Sequence, residues 1–464
     1  MRLRSLLLAA LTLAASAGAG AATDYYVAPL GKVLTCTAAG TQACPWASIW
    51  DAINSGKFVG GDTLLLMDGN YAGLKLYQVA FDTPVTIQSL SGKNARLEWI
   101  NLIDGTKNIT FRNLSVWPTD PLIKLGSVVT SNERTSNITV DGLDVRSGVD
   151  SGNYLNWSLA EWTNRQNSGI ILGGPNSIVR NSSVLGVGFG ISTGGADSQI
   201  INNRVEGYSG DGLRAFGDRS LVKGNTVLNA VTINDNHSDG FQSWADGDGV
   251  IDSLTIEGNT IIEWNAAKDH PLHGRMQGIG LFDGFYSNVI IRNNIVAVSF
   301  YHGISIYGGR NVQIVNNTVV NNDGVNTTSP YIGVFAHKNG TPAENVVVSN
   351  NVAMSFNSSS NSNPSVSYVN NSVVLSLVQA FEDVTKFNYR PKATSGFIDT
   401  GNASYAPPFD ILGAARPAGA GPDRGAYEIA GTGGTTGDGT TTPPASTGAK
   451  FVRAVRKKAA LASP

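Results

Sequence analysis

The chain has 464 residues and a formal net charge of −2, which excludes the broad basic field used to hold nucleic acid. Only 15% of its residues are charged while 54 are glycine, and asparagine recurs, often in pairs. That balance speaks against a largely helical protein and favours many short strands joined by tight turns.

The first segment reads as an export leader over residues 1–21. Arg2 and Arg4 precede an apolar run from Leu6 to Ala14, and Ala19-Gly20-Ala21 supplies the small residues of a cleavage site. No later stretch has the ~18–20 apolar residues of a membrane span. The mature chain is therefore expected outside the cytoplasm, as a monomer. Cys36 and Cys44 lie close together just inside it, and a disulfide between them is expected in an oxidising compartment.

Ala47–Asn54 has the apolar spacing of a short amphipathic helix carrying Ile49, Trp50 and Ile53, suited to cover the open end of a strand stack. Gly61–Leu66 is predicted to start that stack. Residues 22–429 are read as one folded unit. Residues 430–464 are read as a Gly/Thr/Pro-rich linker followed by a basic tail with Lys450, Arg453, Arg456, Lys457 and Lys458.

A repeat dominates the middle of the chain. The phrase β-residue, any residue, Asn or Gly, recurs as Val179-Arg-Asn181, Ile200-Ile-Asn202, Val222-Lys-Gly224, Ile256-Glu-Gly258, Ile291-Arg-Asn293, Ile314-Val-Asn316 and Val348-Ser-Asn350. The anchors are 21, 22, 34, 35, 23 and 34 residues apart. That is a base period near 22 with insertions in selected turns, the signature of a stacked solenoid. Asn suits turns that need left-handed residues able to bond along the stack.

A second strand recurs around a glycine. The following residue is apolar in each case: Ile170, Ile191, Leu213, Phe241, Ile279, Ile304 and Val334. Alternation puts those residues inside. Outside, one column is predicted to hold Asp211, Asp239, Gln277 and His302. The next holds Arg214, Gln242, Gly280 and Ser305, and the third Phe216, Trp244, Phe282, Tyr307 and His337. All five histidines fall between 237 and 337, where the turns lengthen, which marks the candidate site.

Adjacent coils lie about 4.8 Å apart, so Asp211 and Asp239 are expected to face one another beside Arg214. Carboxylates so placed share a proton, bind a cation such as calcium, or pair with arginine. Trp244 and Tyr307 suit stacking against sugar rings. The insertion Lys268-Asp269-His270-Pro-Leu-His273-Gly-Arg275 supplies four donors to a uronate carboxylate, namely Lys268, His270, His273 and Arg275. His270 and His273 lack the third ligand of a zinc site.

Tyr25-Tyr26-Val27-Ala28-Pro29, Gly61-Asp62-Thr63, Gly69-Asn70-Tyr71, the Asn-Asn ladder and Asp423-Arg-Gly-Ala-Tyr-Glu428 together resemble bacterial β-helix polysaccharide enzymes of the pectate-lyase-like superfamily. The resemblance implies an all-β, right-handed parallel β-helix solenoid with a carbohydrate groove along one sheet. Lyases, hydrolases, C5-epimerases and tailspikes share that coil. Compared with polygalacturonases, His237-Ser238-Asp239-Gly240-Phe241 is similar to their Asn-Thr-Asp-Gly-Phe stretch and Tyr301-His302-Gly303 to their Gly-His-Gly. Ala336-His337-Lys338 keeps only the lysine of Arg-Ile-Lys. Their Asp-Asp pair falls at Met276-Gln277, where both carboxylates are missing.

The expected function is β-eliminating cleavage of a uronate-containing, acidic polysaccharide. Arg214 and Arg275 would grip the carboxylate, and His302, His237 or Lys338 would serve as base or acid. Asp239 and Asp211 would position a cation or a catalytic group, with Gln242 and Trp244 lining the sugar site. The alternatives are a glycoside hydrolase using Asp239 with Asp211 or Asp283, and a non-catalytic glycan-binding or surface protein.

Overall fold

The computed structural model describes residues 21–245, 249–322, 329–357 and 363–430. The leader-like segment, residues 246–248 with the insertion carboxylates Asp246 and Asp248, and the basic tail lie outside the described residues.

One 21-residue coil shows how the sequence builds the molecule. Ile178–Arg180, Ser183–Val187 and Ile191–Thr193 each contribute a strand to a different sheet, and Gln199–Ile201 then pairs in parallel with Ile178–Arg180. Val179, Val184 and Ile191 point inward and are fully buried. Repetition of that circuit gives three sheets of 15, 12 and 11 strands among the described residues. The core is the tube between them, filled by Val, Ile, Leu and Phe from successive coils.

The paired asparagines divide the work of the turn. The first of each pair is left-handed: Asn181, Asn202, Asn293, Asn316 and Asn350 have φ of 54–57°, and Gly224 and Gly258 take the same place. The second points inward and forms a ladder. The amide N–H groups of Asn203, Asn225, Asn259, Asn294, Asn317 and Asn351 each donate to the side-chain oxygen of the asparagine one coil on, at 2.9–3.0 Å. Those side chains are buried, so the ladder satisfies polar groups that water cannot reach.

The recurrent glycine has a separate cause. A Cβ on Gly190 would lie 2.2 Å from the Gly212 carbonyl oxygen and 2.6 Å from Val205 Cγ1. No side chain fits where the chain turns that closely over the next coil.

The ends differ from expectation in two details. The first strand is Asp24–Val27, which pairs with Thr63–Leu66, so the stack begins before Gly61. The helix Ile49–Asn54, capped by Ser48, buries Ile49 and Ala52, whereas Trp50 faces outward. Cys36 and Cys44 form the expected disulfide. At the other end, residues 399–428 run back along the asparagine corner: Asn293 Nδ2 donates to the Phe409 carbonyl and Asn316 Nδ2 to that of Asp423. No helix among the described residues is long and apolar enough to cross a membrane.

Candidate functional site

The 11-stranded sheet carries the site on its outer face. Leu213, Phe241, Ile279 and Ile304 are Cα partners across four coils, which puts Asp211, Asp239, Gln277 and His302 in one file two residues earlier. Arg214, Gln242, Gly280 and Ser305 form the neighbouring file. Phe189 stands one coil before Asp211, and the Arg214 guanidinium lies 3.8 Å from the centre of its ring. Arg214 Nε donates to Ser192 Oγ at 2.9 Å, and Nη1 is 3.9 Å from Asp211 Oδ2.

Beyond those files runs an aromatic ledge. Phe216 contacts Trp244 at 4.1 Å between ring centres, Phe282 contacts Tyr307, and Tyr307 stacks on Phe335 at 4.6 Å. A bulge after Ser243 pairs Trp244 with Asp283 and leaves Phe282 as the extra residue. The Phe282 ring lies over Gly280, where a Cβ would meet it at 2.1 Å. The Phe335 ring lies over Gly333 in the same way.

Electrostatics separate the titratable groups. Asp239 is fully buried, and neither of its oxygens has a well-formed hydrogen bond. His237 Nδ1 lies 3.5 Å from Asp239 Oδ2, at the long limit of such a bond. Burial raises the Asp239 carboxyl above its usual range, with His237 opposing. The bond to Asp239 in turn raises the His237 imidazole, which is half exposed. Burial, then the charge of Asp239, pushes Asp211 up to about 7 despite Arg214. Burial and the nearby His237 push His302 down to about 4, so it is neutral at neutral pH. His302 Nδ1 is 2.8 Å from Ser305 Oγ and 2.9 Å from Tyr331 Oη. The file and its neighbours thus offer a fixed guanidinium, an imidazole whose protonated form is favoured by Asp239, a neutral imidazole and two buried carboxyls.

Residues 189–373 match the family model described as "Right handed beta helix region". The fold is a right-handed parallel β-helix. No curated protein sequence matches the chain. Among solved structures it is similar to the Dettilon tailspike protein, at 14% identity and a TM-score of 0.48, over 76% of this chain and 67% of that one. It is similar to pectate lyase Pel9A, at 14% identity and 0.41, over 89% and 97%. The A-module of the Azotobacter vinelandii mannuronan C-5 epimerase AlgE4 follows at 15% and 0.44, over 70% and 89%. At these identities the likeness concerns the coil.

The other predicted residues fall into two groups. His270 Nε2 is 2.7 Å from the Leu155 carbonyl, and His273 Nε2 is 3.3 Å from the buried Glu263. Both rings pack against Trp264, so these histidines bind one insertion to the next. Lys268 belongs to the same insertion, and its carbonyl contacts His273 Nδ1. Arg275 lies just before the paired Ser238 and Met276, with Nη2 bonded to the Ser299 carbonyl and its guanidinium over Phe300. In the second group Lys338 Nζ meets Asp283 Oδ1 at 2.5 Å in an exposed pair.

Three column assignments change, the first being Phe282, which the bulge takes out of line with Trp244. Ile332, not Val334, is the partner of Ile304, because the register shifts between His302 and Ile304. Tyr307 therefore pairs with Phe335, and His337 falls past the strand end. The same shift sets Tyr331 opposite His302, a partner that a fixed glycine frame misses. A Gly-x-Phe pattern at 280–282 and 333–335 is the local signal for a ring folded back onto the sheet. Phe189 and Tyr331 carry no such signal.

Calcium takes six to eight oxygens, and in this file three oxygens, Asp239 Oδ1 and Oδ2 and Gln277 Oε1, are buried without a hydrogen-bond partner. Asp211 Oδ1 already accepts the Asp239 amide at 3.2 Å, and Arg214 approaches Oδ2. Among the described residues no three His, Cys, Asp or Glu side chains are grouped to hold a metal ion.

Proposed function

We propose that this groove cleaves an exported, uronate-containing polysaccharide by β-elimination. The observation that carries the reading is the gathering of charged and imidazole groups along the file: Arg214 beside Asp211, half-exposed His237 beside buried Asp239, and His302 two coils on from Asp239. Arg214, with Arg275 as a second cation, would neutralise the uronate carboxylate and so acidify the proton at C5. Neutral His302 would take that proton. The electron pair would form the C4–C5 double bond, the C4–O bond would break, and His237 would protonate the departing oxygen. A bound carboxylate would also raise the basicity of His302 as the reaction needs it. The aromatic ledge around Trp244 and Tyr307 suits flat apolar sugar faces. The Cys36–Cys44 disulfide agrees with an oxidising compartment.

Glycoside hydrolysis is the second reading, favoured by Asp211 at about 7, an acid half protonated at neutral pH. Against it stands the burial of Asp239, because a general base or nucleophile must reach the sugar.

Anionic bacterial and algal polysaccharides separate the readings. A lyase yields an unsaturated product that absorbs in the ultraviolet, a hydrolase yields reducing ends without that absorbance, and a binding protein yields neither. Asp239→Asn and His302→Ala should each lower the rate by about 10²-fold or more with the fold intact. Full activity in both variants would overturn the site assignment.

A further inference from the structure

Two hydroxyl oxygens converge on one imidazole nitrogen in this groove. Ser305 Oγ lies 2.8 Å and Tyr331 Oη 2.9 Å from His302 Nδ1. They come from different coils: Ser305 from the histidine's own strand, three residues on, and Tyr331 from the strand paired with it. Phe282, Tyr301, Tyr307 and Tyr331 surround the ring and fix its plane. Nε2 has no hydrogen-bond partner among the described residues and is not fully buried, although the residue as a whole is only 7% exposed.

The convergence bears on the tautomer, and Tyr331 is also hydrogen-bonded to Ser305. An unprotonated nitrogen has one lone pair in the ring plane and accepts one good hydrogen bond, whereas an N–H can be shared between two oxygens. We propose that Ser305 and Tyr331 are positioning residues that hold the proton of His302 on Nδ1 and present the lone pair of Nε2 to the substrate. His302 then acts as a base through Nε2, and the two hydroxyls act through it without touching the sugar. This rests on the reading of His302 as the base, but the tautomer is a property of the protein alone.

Nitrogen-15 NMR of histidine-labelled protein tests it. The chain has five histidines, and His302→Gln identifies the signal by its loss. The expected result is a neutral ring at pH 7 with the proton on Nδ1. Ser305→Ala together with Tyr331→Phe removes both acceptors and should move the population towards Nε2–H. Predominant Nε2–H in the native protein overturns the proposal, and so does a spectrum unchanged by the double variant. The native spectrum decides the first point even if the double variant fails to fold. On a cleaved substrate, Tyr331→Phe should lower kcat on the order of tenfold with KM nearly constant, short of the loss from removing the base itself. An equal fall in kcat for Tyr331→Phe and His302→Ala would instead make Tyr331 a reacting group and overturn its positioning role. An Nδ1–H ring in a protein that cleaves no polysaccharide would refute the proposed function and leave the tautomer assignment standing.

Discussion

Asp211 shows how one side chain ties the site to the stability of the whole. Its carboxyl is raised from 3.8 to about 7, so it binds a proton more tightly in the folded chain than in the unfolded one. The stabilisation is complete below about pH 4 and is lost as pH rises through about 7. At about 1.4 kcal/mol per pH unit the contribution is roughly 4 kcal/mol. Thermal unfolding should therefore show the native protein losing stability between pH 4 and pH 8, and Asp211→Asn should flatten that decline. Asp239 has a different role beside it. Its carboxyl raises the His237 imidazole, so Asp239→Asn should lower the His237 titration midpoint, as followed by NMR. Neither burial nor the missing hydrogen bonds of Asp239 can be read from the letters Asp-Gly-Phe. They depend on which coils lie above and below.

At the level of the turn, the two asparagines of each pair face different tests. Asn259→Ala would strand the Asn225 amide and side-chain donors, which both bond to Asn259 Oδ1. It would also remove the bond to the Val222 carbonyl. Stranded buried groups cost about 1–3 kcal/mol each, so a loss of about 3 kcal/mol or more is expected in denaturant unfolding. Asn202→Gly, at a left-handed position with φ of 54°, should change stability by less than about 1 kcal/mol. The repeat made this left-handed turn legible, because few residue types adopt it. The shifted register at Tyr331 was not legible, since the strand still reads as alternating and only its pairing with His302–Tyr307 reveals the slip. The insertion around His270 misled for a related reason. Histidine and arginine beside a groove look like ligands, whereas contact with Trp264, Leu155 and Glu263 uses the two rings as packing.

For the molecule as a whole, a solenoid unfolds from its least protected end, because each coil contacts only its neighbours. Here that end is clasped. Arg416, buried against the equally buried Glu428 at 3.3 Å, also donates to the Asp423, Gly425 and Ala426 carbonyls. Gly425 and Ala426 bond in turn to Asn350 and Thr318 of the coil. Arg416→Ala leaves buried Glu428 without its ion-pair partner, with only the Ala418 and Asp423 amides still donating to it, and should cost about 3 kcal/mol. Hydrogen exchange should then quicken first in the coils near Asn350 and Asn371, with the ladder at Asn203–Asn225 still protected.

The sequence by itself determined the coil: its period, its inward apolar columns, its left-handed asparagines and the cluster of histidines in the lengthened turns. These are local or periodic properties, and a repeat displays them many times over. The tertiary structure alone decided which polar residues share a surface. It buried Asp239, set Tyr331 against His302, and packed His270 and His273 against Trp264. Those outcomes depend on register between coils more than twenty residues apart, where a shift of one or two positions exchanges a groove residue for a packed one.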